Sequence, residues 1–145
     1  MFNSRAILSS TPCDSHMWNL IYMELFLKEH HFDVINLGCC VPDTDLVQHI
    51  LDHQPSLVVI SSINGYLYRE LLNTIPIIHG LRSTLKNPFK LVAGGKLTVD
   101  DGDINSLSDN LIKMGLDRLF IGGDSLMRFS AYLAGFGANR YKLAG

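Results

Sequence analysis

Five short apolar runs alternate along the chain with longer segments of helical periodicity, and this alternation constrains the fold more than any other feature. The runs predict five strands, which cover residues 5–9, 32–37, 57–61, 90–93 and 116–121. Within them, apolar side chains follow one another instead of alternating with polar ones, which is typical of parallel strands buried on both faces. Five strands are too few for an eight-stranded βα barrel.

The segments between and after these strands predict five helices. They cover residues 16–28, 43–51, 66–82, 104–114 and 125–133, and Pro76 is expected to break or kink the third of them. Strict alternation of strands and helices therefore predicts a flavodoxin-like α/β fold, a five-stranded parallel sheet in the order 2-1-3-4-5 with helices on both faces. We expect residues 1–145 to form a single domain whose last segment, from about residue 135, is a loose tail.

The composition excludes several classes of function. Of the 145 residues, 47% are apolar, which is too many for a disordered chain. Lys and Arg number 12 and Asp and Glu number 14, so the formal charge is −2 and the basic excess of a nucleic-acid-binding protein is missing. No apolar run approaches the roughly 20 residues of a membrane helix. We therefore expect neither nucleic acid nor a membrane as a partner.

The chain has three cysteines, and their spacing argues against both disulfides and zinc. Cys39 and Cys40 are adjacent, Cys13 stands apart, and no C-x-x-C pair occurs. The beginning of the sequence also lacks the apolar stretch and cleavage site of a signal peptide. These features predict reduced thiols in a cytoplasmic protein.

In a sheet of this order, ligands bind beyond the carboxyl ends of the strands, where the strand order reverses. Several common ligands can be excluded there. No G-x-G-x-x-G follows the first strand, which disfavours a dinucleotide. Gly95-Lys96 is followed by Leu97, so this segment is not a phosphate-binding P-loop, and Ser61 ends the third strand where a phospho-receiver domain needs an aspartate.

Three loops at this edge carry polar residues and glycines that are weak signals separately and stronger together. The first loop contains Asp14-Ser15-His16-Met17-Trp18-Asn19, the third strand ends in Ser61-Ser62-Ile63-Asn64-Gly65, and the fourth ends in Gly94-Gly95. All three loops surround one predicted crevice.

In this order and spacing, the three loops resemble the cobalamin-binding domain family, whose pattern is D-x-H-x-x-G, then S-x-L, then G-G. The resemblance extends over essentially the whole chain and is strongest to the small subunits of glutamate mutases, also called methylaspartate mutases. Two positions depart from the pattern: Asn19 replaces the glycine, and Ile63 replaces the leucine. Asn19 is expected either to narrow the groove for the nucleotide tail of the cofactor or to add a hydrogen bond to this tail.

The resemblance implies a role for each residue of the pattern. His16 would displace the benzimidazole of cobalamin and ligate cobalt, and Asp14 would orient its imidazole ring. Ser61 would hydrogen-bond the displaced tail, and Ile63 would pack against it. The remaining residues expected at the cofactor are Ser15, Met17, Asn19, Gly65, Gly94, Gly95, Gly122 and Gly123. For the two Gly-Gly pairs, the absence of a Cβ atom would let the backbone approach the nucleotide.

By the same resemblance, the cofactor is adenosylcobalamin and the chain carries it for a carbon-skeleton mutase. The substrate, glutamate or a related small acid, would be held by a larger, barrel-shaped catalytic subunit, because no catalytic residue is expected on this chain. Three alternatives stay open at this point. A corrinoid shuttle protein for methyl transfer or a cobalamin-based light sensor would normally carry a helical segment ahead of the domain, where this sequence has about four residues. A flavin-binding module would use Ser9-Ser10-Thr11 instead.

Overall fold

The computed structural model describes residues 4–86, 88–100 and 103–144, with side chains described up to residue 136. Strands and helices alternate strictly along the chain, as predicted. The elements in order are β1 (Ser4–Ser9), α1 (Met17–Glu29), β2 (Phe32–Asn36), α2 (Asp43–His53), β3 (Leu57–Ser62), α3 (Leu67–Arg82), β4 (Lys90–Gly95), α4 (Ile104–Met114), β5 (Arg118–Phe120) and α5 (Ser125–Ala144).

The sheet confirms the predicted flavodoxin-like fold. Its five strands are all parallel and follow the order β2-β1-β3-β4-β5. β3 is central, and its six residues are all buried because helices cover it from both sides. The reversal of strand order lies at β1 and β3, so the loops after these two strands open a crevice between them.

Two hydrophobic clusters cover the faces of the sheet. One holds the buried side chains of α2, α3 and α4, among them Ile50, Ile75 and Leu111. The other holds those of α1 and α5, among them Leu20 and Phe129. Alternate residues of the strands supply the two clusters, since successive side chains of a strand point to opposite faces. The layers predicted from the sequence are therefore present.

Several predicted bounds differ from the observed ones. β3 and β4 extend one and two residues further than predicted because Ser61 and Ser62 pair with Gly94 and Gly95. β5 is shorter than predicted because it is an edge strand that pairs only with β4, over Arg118–Phe120. Pro76 does not break α3, which runs continuously from Leu67 to Arg82.

The backbone of residues 135–144, which we expected to be a loose tail, is helical and forms the end of α5. Gly135 and its neighbours continue the helix past Leu133, and the Phe136 ring packs against the rings of Phe32 and Tyr132 at 5.6 and 6.3 Å between centroids. This packing stabilises the helix at Phe136, directly after a glycine that disfavours it. Gly145 lies outside the described residues.

No helix among the described residues is long and apolar enough to cross a membrane.

The end of β4 depends on a glycine. Gly95 has φ +123°, and a Cβ atom there would overlap the carbonyl oxygen of Ser62 on β3. Gly80, inside α3, has no heavy atom within 4 Å of the place of a Cβ. Packing and backbone conformation therefore require glycine at position 95 but not at position 80.

Gly95→Ala should lower the free energy of unfolding by at least about 2 kcal/mol, because the new methyl group meets backbone and the backbone conformation is strained for alanine. Gly80→Ala should raise it by about 0.5–1 kcal/mol through helix propensity. Urea denaturation of both variants measures these changes. Equal stability of the two variants would contradict this account of the β3–β4 edge.

Candidate cofactor site

The carboxylate of Asp14 is the centre of the crevice and is buried, with 1% of the residue exposed. Its Oδ1 accepts hydrogen bonds from the backbone N–H of His16 at 2.8 Å and from His16 Nδ1 at 2.6 Å. Its Oδ2 accepts from Ser62 Oγ at 2.6 Å and from the backbone N–H of Ile63 at 2.8 Å. One side chain thus links the loop after β1 to the end of β3.

Backbone hydrogen bonds fix the position of this loop. The N–H of Asp14 donates to the carbonyl of Thr11 at 3.2 Å, which closes a turn directly after β1. The carbonyl of Asp14 accepts from the N–H of Cys40 at 2.9 Å, in the loop after β2. The loops after three neighbouring strands are therefore joined around Asp14.

Two opposing effects act on the pKa of Asp14. Burial raises it, but the hydrogen bonds from Ser62, His16 and Ile63 together outweigh burial and lower the pKa to about 2. Asp14 is therefore a carboxylate at neutral pH. A carboxylate only accepts hydrogen bonds, so the Nδ1 atom of His16 carries the hydrogen that lies between them.

His16 stands immediately before α1, with its side chain 51% exposed. The hydrogen bond to Asp14 holds Nδ1, and Nε2 has no hydrogen-bond partner among the described residues. A neutral imidazole whose Nδ1 hydrogen is held by a carboxylate presents the lone pair of Nε2 outward, which is the arrangement of a metal-ligating histidine. His16 can therefore supply one nitrogen ligand to a metal.

A cleft of about 380 Å³ opens beside this loop, between α1, β3, β4 and α5. Its volume is in the range of small-molecule sites. Small residues on β4 leave the space, and aromatic rings from β5 and α5 form the far wall. The residues that line it are Asn19, Tyr22, Met23, Val59, Ser61, Ile63, Ala93, Gly94, Gly95, Lys96, Phe120, Ser125, Leu126 and Phe129.

Asn19 occupies the position where the family pattern has glycine, and its side chain hydrogen-bonds within the protein. Its Nδ2 donates to Ser61 Oγ at 2.7 Å, which joins the first turn of α1 to the end of β3. Ser61 is 4% exposed and Asn19 is half-buried, and both line the cleft. The side chain at position 19 therefore forms part of the cleft wall.

The Gly94-Gly95 pair has a structural reason that the sequence did not indicate. A Cβ atom on Gly94 would lie 2.7 Å from the carbonyl oxygen of Phe120, and one on Gly95 would overlap the carbonyl of Ser62. Both glycines line the cleft, but the packing of β4 against its neighbours already requires them. Close approach of a ligand is not needed to explain either one.

Of the residues predicted at the cofactor, Asn19, Ser61, Ile63, Gly94 and Gly95 line the cleft, and Asp14 and His16 form the pair beside it. The other predicted residues are not brought to the cleft lining. Ser15 and Met17 are exposed on either side of His16. Gly65, with φ +90°, packs against Val99, and Gly122 lines a neighbouring groove. A Cβ atom added to Gly123 would have no heavy atom within 4 Å. Contacts of these five residues with a cofactor stay a prediction.

Sequence reasoning missed some residues of the site. Ser62 is fully buried and donates to Asp14, and the backbone N–H of Ile63 does the same. The alternation of side chains along a strand indicates that Ser61 and Ser62 point to opposite faces, but not that Ser62 meets the loop after β1. Lys96, Phe120 and Phe129 line the cleft from distant positions in the sequence, and no local pattern identifies them.

Known proteins resemble this chain in sequence and in fold. The "Glutamate mutase sigma subunit" of Halobacterium salinarum is 25% identical over 114 residues, which cover 79% of this chain and 74% of that protein. Among solved structures, a cobalamin-binding protein from Desulfitobacterium hafniense superposes with a TM-score of 0.64 at 18% identity, over 90% of this chain and 59% of that one.

The fold alone is shared more widely. The response regulator RcsB of Salmonella typhimurium superposes with a TM-score of 0.68 at 13% identity, over 96% of this chain and 61% of that one. This chain thus spans about three fifths of each of these two solved chains. Residues 4–110 match the family model "B12 binding domain". The chain therefore belongs to the B12 binding domain family.

Proposed function

We propose that this chain is the cofactor-carrying subunit of an adenosylcobalamin-dependent carbon-skeleton mutase similar to glutamate mutase. It would hold cobalamin with His16 on cobalt and with the benzimidazole tail displaced into the cleft. The observation that carries this proposal is the 2.6 Å hydrogen bond between Asp14 and His16 directly beside a cleft of about 380 Å³. His16 would then be the cobalt ligand, and the neighbouring cleft would hold the benzimidazole tail that His16 displaces.

The residues fit the lower face of the cofactor. Asp14 holds the imidazole of His16 in one orientation and, as a buried carboxylate, makes it a stronger donor toward a metal. The half-exposed side chain of His16 leaves room for a flat macrocycle above it. Three further hydrogen bonds to Asp14 keep this carboxylate in place without help from the cofactor.

The cleft fits the displaced tail. Ser61 presents a hydroxyl, and Ile63, Phe120 and Phe129 present apolar surface for a flat aromatic base. Lys96 lines the same cleft, and no salt bridge among the described residues involves it. Its ammonium group could neutralise the phosphate that links the base to the macrocycle.

The upper face of the cofactor needs a partner. When bound, adenosylcobalamin supplies radical chemistry by homolysis of its cobalt–carbon bond. A small acid substrate needs a cation of its own, whereas Lys96 is assigned to the phosphate of the cofactor, and Arg5, Arg82 and Arg128 donate to groups of this chain. The half-exposed His16 side also needs to be covered, because reactive intermediates require the exclusion of water. We propose a larger, barrel-type catalytic subunit as that cover and as the holder of the substrate.

His16→Ala should remove the protein nitrogen from the coordination of bound cob(II)alamin, since Nε2 of His16 is the proposed axial ligand. Electron paramagnetic resonance of the loaded, nitrogen-15-labelled protein measures this as loss of the doublet splitting that the protein nitrogen causes, since the base of the cofactor would give a triplet instead. His31→Asn, at an exposed position with φ +68°, is the matched control and should keep the coupling. An unchanged coupling in His16→Ala, or uptake of flavin but not of cobalamin by the wild type, would contradict the proposal.

Asp14→Asn should lose stability in a pH-dependent way. Because the pKa of Asp14 falls from 3.8 to about 2 on folding, ionised Asp14 adds about 2 kcal/mol to the free energy of unfolding above the unfolded pKa. This contribution is lost as the pH falls, and roughly half of it is gone at about pH 3. Denaturation of wild type and variant at about pH 6 and pH 3 measures the narrowing gap.

Asp33→Asn, on the exposed edge of β2, removes a carboxylate that lies outside the crevice, so it is the matched control and should be as stable as the wild type. A gap between Asp14→Asn and wild type that stays constant over the same pH range would show that Asp14 does not gain its stabilising hydrogen bonds as a carboxylate.

The isolated chain should be catalytically silent. With adenosylcobalamin and glutamate, turnover to 3-methylaspartate should begin only when a large glutamate mutase subunit is added, because this chain neither holds the substrate nor excludes water. Chromatographic detection of 3-methylaspartate with and without that subunit measures the requirement. Turnover by this chain and adenosylcobalamin alone would overturn the proposed division of labour.

A further inference from the structure

One hydrogen-bonded pair of uncharged polar side chains, Asn19 and Ser61, faces a cleft whose other walls are largely apolar. Asn19 comes from the first turn of α1 and Ser61 from the end of β3, so two rigid elements hold the pair. The 2.7 Å hydrogen bond between them fixes both side chains relative to each other. The pair can therefore act as one recognition element.

Within the Asn19–Ser61 pair, several donors and acceptors have no hydrogen-bond partner among the described residues. Ser61 Oγ accepts from Asn19 Nδ2, and its own hydroxyl hydrogen has no acceptor among the described residues. The Oδ1 atom of Asn19 likewise has no donor within the described part of the chain. The second hydrogen of Asn19 Nδ2 is also free among these residues, so the amide of Asn19 offers a donor beside an acceptor on the cleft wall, and the hydroxyl of Ser61 offers a further donor.

A neighbouring donor and acceptor match a base that carries an acceptor ring nitrogen beside an exocyclic amino group, as adenine does. The amide of asparagine pairs with this edge of adenine in DNA recognition for the same geometric reason. A benzimidazole base offers one ring nitrogen acceptor and no donor, so it would leave Asn19 Oδ1 without a partner in a buried setting. An unpaired polar atom of this kind lowers affinity.

We infer that Asn19 and Ser61 make this chain prefer a cobamide with an adenine-type lower base over one with a benzimidazole. The inference rests on the proposed function, in which the lower base enters the cleft. Asn19 is then the residue that determines specificity. With glycine at this position, Ser61 alone would offer a single donor, which suits a base with a single acceptor.

Binding of three purified corrinoids tests the inference: adeninylcobamide, cobalamin with its dimethylbenzimidazole base, and cobinamide, which has no base. Wild type should bind adeninylcobamide about tenfold more tightly than cobalamin, the scale of one well-formed hydrogen bond. Asn19→Gly and Asn19→Ala should reduce this ratio to about twofold or less. All of these proteins should bind cobinamide equally, because it does not enter the cleft with a base.

Asn105→Ala, on an exposed position of α4 remote from the cleft, is the matched control and should keep the tenfold ratio. Thermal unfolding shows whether each variant is folded, and the two variants at position 19 provide independent chances of a folded protein. A wild type without preference, or a preference that survives both substitutions, would overturn the inference while leaving cobalamin binding intact. A wild type that binds none of the three corrinoids would overturn the proposed function itself.

Discussion

The buried carboxylate of Asp14 is the interaction on which the rest of the site depends. Its four hydrogen bonds join the loop after β1 to the end of β3 and at the same time hold the ring of His16. Burial of a carboxylate is costly unless enough donors surround it, and here the donors lower the pKa of Asp14 to about 2. The same carboxylate therefore stabilises the loops and fixes the orientation of the His16 ring.

The fold places the two parts of the candidate site side by side. The loop before α1 presents one imidazole nitrogen outward, and the cleft opens behind it between β3, β4 and α5. The loop and the cleft lie where the strand order reverses, and there the loops leave in opposite directions and open a crevice while every strand stays paired. The same fold occurs in a response regulator, so the fold does not determine the function. The loop residues distinguish this chain.

The architecture could be predicted from the sequence, because apolar residues follow one another in strands buried on both faces and recur with a helical period in the helices. α4, Ile104–Met114, has the predicted bounds, whereas the end of α5 does not, because Phe136 packs against residues far away in the sequence. The Asp14–His16 pair was predictable since both residues lie in one loop. The contact of Ser62 with Asp14 and the Asn19–Ser61 hydrogen bond could not be predicted. Each joins side chains from two elements that are far apart in the sequence and meet only in the folded chain.

The central claim is that His16 replaces the nucleotide base on cobalt. Nitrogen-15 labelling of the protein, followed by electron paramagnetic resonance of bound cob(II)alamin that carries natural nitrogen, tests it most directly. Because the two isotopes differ in nuclear spin, coordination by His16 should change the axial superhyperfine splitting from a triplet to a doublet. A triplet that persists in the labelled protein would show that the base of the cofactor still occupies the axial position and would contradict the account.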